Sequence, residues 1–121
     1  MSAPNPTRDE KIEAIRLHFV GTLPGIWEEL ERNCRRSVEG PLQRDHGARA
    51  KYQAHMLAGT AGTFGFTDVA AAARMLEGLL GSALEAREAP EAGSMRLELA
   101  ALKGAVEQVL APGQVAKKGS P

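Results

Sequence analysis

Cysteine occurs once, at Cys34, so the chain can close no internal disulfide and offers no multi-cysteine metal cluster; a reduced, intracellular compartment fits. Aromatic residues are scarce, with one Trp, one Tyr and three Phe. β-Branched residues are few as well, whereas Ala, Leu, Glu and Arg are plentiful, and that balance favours helices over strands. Neither sign of charge is in excess, because 15 Lys and Arg meet 15 Asp and Glu. Without a basic surplus nothing points to a nucleic acid partner, and any partner surface must be local. Nowhere do about 18 apolar residues run together, as a membrane-crossing helix requires. The opening MSAPNPTRDEK lacks the basic-then-apolar order of a secretory signal. The expectation is a soluble, cytoplasmic protein with no membrane partner.

What is present fits one domain, since 121 residues can bury a core without disulfide or metal and are too few for two comfortable domains. Prolines near the start, and Pro, Gly and Lys in APGQVAKKGSP near the end, mark residues 1–6 and 112–121 as disordered tails around a helical domain at 7–111. Five apolar stripes at helical spacing lie between them. The first is Ile12, Ile15 and Phe19, capped by Thr7 and ending near Gly21. Pro24 fits the first turn of a second helix with Ile26, Leu30, Cys34 and Val38, the alternative being one long helix kinked at Pro24; Gly40-Pro41 closes it either way. A third segment, 42–64, carries Ala50, Ala54, Leu57, Ala61 and Phe64 as a packing seam and ends at Gly65. Thr67 or Asp68 caps a fourth, with Val69, Ala72, Leu76 and Leu79 on one face. Residues 85–94 form a hinge before a fifth, with Leu99, Leu102, Val106 and Val109. The predicted fold is all-α: an antiparallel four-helix bundle with an additional short N-terminal helix.

The third segment carries the chemistry. Each helical glycine costs about 1 kcal/mol relative to Ala, so Gly59 and Gly62 need a reason. On a wheel advancing 100° per residue from Ala50, the seam residues fall between about 320° and 40°. Lys51 then lies near 100°, Gly62 near 120°, His55 near 140° and Gly59 near 180°, so histidine and glycines share an outward face. A neutral imidazole with an ordinary pKa of roughly 6.5 keeps a nucleophilic lone pair near neutral pH. One turn from a residue without a side chain, it is open to a large reactant. Phosphoryl capture suits such a group. The chain has no G-x-x-x-x-G-K-[ST] loop, so metal and charged clamp would come from the partner. His55 is expected to be solvent-accessible midway along the longest helix.

The run His55-Met56-Leu57-Ala58-Gly59-Thr60-Ala61-Gly62-Thr63-Phe64-Gly65 resembles the His-x-Leu-x-Gly-x-(Ala/Ser)-x-x-x-Gly core of bacterial histidine phosphotransfer domains, and the likeness takes in the flanking helices from about residue 12 to 110. The resemblance implies that His55 is the phosphorylated residue and that Gly59 and Gly62 leave room around it. It implies as partners the receiver domains of response regulators or hybrid kinases, and a phosphoryl carrier without cofactor rather than a small-molecule enzyme. Many members carry a lysine three residues after the histidine, where this chain has Ala58; Lys51, one turn earlier, is the cation left on that face. The expected phosphoryl and docking face is therefore Lys51, Ala58, Gly59 and Gly62 around His55. The rival readings are a docking module that binds a receiver or kinase without being phosphorylated, and a helical adaptor whose glycines serve close packing.

Other residues read more plainly. His46 stands nine residues before His55, off the i, i+4 spacing of paired ligands, so no metal is expected. His18 belongs at the edge of a packed helix. Cys34 reads as a small core residue and Trp27 as a packing anchor. Arg32, Arg35 and Arg36 form solvated surface or, alternatively, a docking patch for an acidic receiver. No G-x-S-x-G elbow supports hydrolase chemistry.

Overall fold

The computed structural model describes residues 4–112; half of the expected N-terminal tail, residues 1–3, and all but one residue of the C-terminal one, residues 113–121, lie outside them. Four helices, and no strand among the described residues, follow in the order α1 (Arg8–Val38), α2 (Gln43–Thr63), α3 (Thr67–Ala86) and α4 (Ala92–Leu110). Short connections make neighbours antiparallel, and α4 packs back on α1 to close the bundle.

Thr7 caps α1 through a reciprocal box: its hydroxyl accepts from the Glu10 amide at 3.1 Å while the Glu10 carboxylate accepts from the Thr7 amide at 2.9 Å. The separate short helix expected before Gly21 does not form. One helix runs through Gly21 and Pro24 to Val38. Pro24 removes one intrahelical donor and its ring crowds the carbonyl four residues earlier, at a cost of about 3 kcal/mol. The burial of Phe19, Leu23, Leu30 and Cys34 on one continuous stripe outweighs that cost. At 1.5 Å per residue α1 spans about 46 Å against about 32 Å for α2. Its first turns therefore have less to pack on, and Ile12 and Ile15, expected to be packed, are exposed, as is His18. The longest helix is thus α1, and His55 stands on α2. Pro24 is exposed, so Pro24→Ala should restore the missing hydrogen bond and stabilise the protein by up to about 3 kcal/mol. A urea midpoint that falls instead would show that the proline is required.

Gly65, at φ +81°, lets the chain leave α2: the Gly65 amide donates to the Gly62 carbonyl and the Phe66 amide to the Ala61 carbonyl. Neither Thr67 nor Asp68 caps α3; Phe66 takes that position without a side-chain bond, because the turn already aims the backbone. α3 closes with the same paired bonds around Arg87, which holds φ +58° without being glycine. Glu91 caps α4 by accepting from the Ser94 amide. These amides hold the carboxyls of Glu10 and Glu91 below the usual value of 4.5. A carboxylate with a depressed folded pKa contributes stability above its unfolded value and loses it as pH falls through the folded one. Thermal melts at pH 7 and pH 3 should therefore show Glu10→Gln and Glu91→Gln destabilised at pH 7, with the gap to wild type closing at pH 3.

The core is aliphatic. Leu23, Leu30, Leu76, Leu80 and Leu102 are fully buried, each contributing about 1.5–3 kcal/mol. Phe19 stacks on Phe64 and tilts on Phe66, both at 5.9 Å, sealing the end near the α2–α3 turn. Cys34 is buried, and burial followed by the charge of Glu31 pushes its thiol up to about 12, so it packs rather than reacts. Trp27 is half-buried against the core. The buried Asn33 is satisfied across the α1–α2 seam: its amide donates to Gln53 at 2.9 Å and its carbonyl meets His46 Nδ1 at 3.1 Å.

Candidate functional site

α2 and α3 pack together with small residues on their buried faces, Ala54, Ala58 and Ala61 on one and Ala70 and Ala73 on the other, all nearly inaccessible. Alanines allow a close approach, and the register follows from the contacts across it. A Cβ built on Gly81 would stand 3.5 Å from Lys51 Cε, His55 bonds Glu77 at 3.0 Å, and a Cβ on Gly62 would stand 3.9 Å from that of Ala70. Each step forward on α2 is matched by an equal step back on α3. Ala58, three residues beyond His55, therefore faces Arg74, three before Glu77.

Within this frame His55 stands outward with its side chain 67 % exposed. Its Nδ1 lies 3.0 Å from Glu77 Oε2. A carboxylate can only accept, so Nδ1–H donates, and the neutral ring is held as the tautomer whose lone pair is on Nε2. The ring is both oriented and polarised. Glu77 was not foreseen from the sequence; its partnership depends on the α2–α3 register.

The expected face is only partly assembled. Lys51, Gly59 and Gly62 are exposed beside His55. Ala58 is a correction: at 3 % exposure it belongs to the α2–α3 seam, because close packing by α3 widens the buried arc beyond the wheel's 40° limit. A Cβ on Gly59 would meet nothing within 4 Å, while one on Gly62 would meet the Arg74 guanidinium at 3.4 Å. Tyr52 and Met56, exposed on the α1 side of His55, border a shallow cleft with Phe19, Ile26 and Leu57. His46 is taken up by Asn33, and among the described residues no group of three or more His, Cys, Asp or Glu could hold a metal. Arg35 pairs with Glu31 one turn away on α1 itself.

An accessible, carboxylate-oriented histidine on the second helix of a four-helix bundle now stands beside a family comparison: the sequence model of the Hpt domain matches residues 14–111. The chain belongs to the Hpt domain family. Its role accordingly lies in phosphotransfer within two-component signalling, where Hpt domains meet receiver domains and kinases. No curated protein and no solved structure matches the chain. No helix among the described residues is long and apolar enough to cross a membrane.

Open space at Gly59 separates stability from access in this Hpt domain. Gly59→Ala should stabilise α2 by up to about 1 kcal/mol. Gly59→Glu should leave the fold intact yet block approach to His55 by bulk and negative charge. Thermal melts beside phosphoryl-acceptance rates would check this, and unfolding by Gly59→Glu would mean that the glycine is a packing residue.

Proposed function

We propose that this Hpt domain accepts a phosphoryl group on Nε2 of His55 from the aspartyl phosphate of a receiver domain, or from a kinase, and hands it to another response regulator. The observation that carries the reading is the Nδ1–Glu77 hydrogen bond on an exposed histidine, since it leaves Nε2 as the free nucleophile facing solvent. In the step itself the Nε2 lone pair attacks phosphorus, the N–P bond forms, and the acyl O–P bond breaks with its electron pair returning to the donor aspartate. No proton need leave: Nδ1 keeps its own, and the ring becomes a phosphorylated imidazolium whose charge faces the Glu77 carboxylate.

The surroundings favour a protein donor. Gly59 and Gly62 leave the approach clear, and exposed Tyr52 and Met56 offer apolar contact beside His55, while Lys51 adds positive charge. A receiver domain could seat its acidic centre over such a face. The reading puts the chain in the cytoplasm, with its partners.

Intact mass after mixing the full chain with a phosphorylated receiver tests it. One acid-labile phosphoryl group is expected on the wild type and none on His55→Gln. Glu77→Ala should slow acceptance more than Glu77→Gln, since the amide oxygen can still accept from Nδ1–H. Undiminished labelling of His55→Gln would shift attention to His18 or His46, and binding without labelling of the wild type would favour a docking module.

A further inference from the structure

We propose that Arg74 of α3 is the cation that meets the phosphoryl group carried by His55. The inference rests on the phosphotransfer reading and deepens it, because the structure assigns part of the charged clamp to this chain rather than to the partner alone.

The need for a cation follows from the site. A phosphoryl group on Nε2 brings about two negative charges to a ring already bonded to the Glu77 carboxylate. The imidazolium offsets only one of these charges, so the repulsion left between the phosphoryl group and the carboxylate would oppose transfer. Nothing at position 58 offsets them, since Ala58 is apolar and buried.

Arg74 is placed to do so. The register that pairs Lys51 with Gly81, His55 with Glu77 and Gly62 with Ala70 sets Arg74 across from Ala58, one turn before Glu77 on the same face of α3. Its guanidinium reaches over the seam to α2, 3.4 Å from where a Gly62 Cβ would stand. It is exposed and, among the described residues, forms no ion pair. On α2 Ala58 and Gly59 lie between Gly62 and His55, and a Cβ built on Gly59 would meet nothing within 4 Å, which leaves open space on that side of the imidazole. The planar fork then matches two phosphoryl oxygens at once, which a single ammonium cannot do. A lysine at 58 would face this arginine as a like charge, so an alanine there and an arginine at 74 are complementary. Lys51, the other cation beside His55, has its stem laid along Gly81, on the far side of Glu77 from Arg74.

The test uses phosphoramidate, a small donor that needs no docking surface. The Nε2–P bond forms as its P–N bond breaks and ammonia leaves. With the full-length chain, acceptance read by intact mass should slow roughly five- to tenfold in Arg74→Ala, the size expected for losing one charge-assisted contact. Arg74→Lys should recover part of the rate, because it restores a cation at the same position. Thermal melts should barely move, as the side chain is exposed. A wild type labelled on His55 with Arg74→Ala equally fast would overturn the assignment of Arg74 alone. So would a loss confined to Lys51→Ala, which would make Lys51 the clamp. A wild type that neither phosphoramidate nor a phosphorylated receiver labels on His55 would instead overturn the proposed function beneath it.

Discussion

The close packing of α2 on α3 is the constraint on which the site depends. It is rich in alanines, and their small size has two consequences. The helices approach closely enough that side chains on the rims of the seam, rather than in it, can touch across it. The register also matters, since a slide by one turn would part His55 from Glu77. His55 and Glu77 are rim residues. Their bond at 3.0 Å is exposed and adds little to stability, but it is available only because the buried seam holds both helices in place.

Such an arrangement separates folding from chemistry. The fully buried leucines and Cys34 form the apolar core, while the His55 ring stands on the exposed side of α2. Glycines on that outer face weaken helix propensity without opening cavities, because no buried atoms replace their missing side chains. The local loss, about 1 kcal/mol each, is modest beside the burial of even two core leucines. The bundle can therefore carry a face shaped for access rather than for its own stability.

Much of this was legible in the sequence, and the parts that were not share a cause. Seam residues Ala50, Ala54, Leu57 and Ala61, the outward His55 and the turn at Gly65 follow from periodicity and backbone preference, which are local properties. The misreadings arise where tertiary packing decides. Pro24 is a helix breaker by local rule, yet the stripe from Phe19 to Cys34 carries α1 through it. Ala58 lies outside the seam's arc on a wheel, yet α3 approaches closely enough to bury it. Glu77 and Arg74 were invisible as site residues because their relation to His55 crosses between helices and depends on a register that spacing within one helix does not define. The only sequence signal was weak: an Arg and a Glu three apart, flanking the apolar stripe of the helix that follows.

The same geometry bears on how a bundle with an apolar residue after its histidine can still handle a phosphoryl group. A cation on α2 itself would be fixed to the reactive helix, whereas one borne on α3 reaches the site only through the register. Its contribution is then tied to the integrity of the seam, and loosening the Ala58 contact would shift Arg74 and Glu77 together relative to His55. On the proposed reading, orientation of His55 and compensation of the charge it would carry both depend on one packing interaction. Enlarging a seam alanine would disturb both, even though no atom of that side chain touches the imidazole.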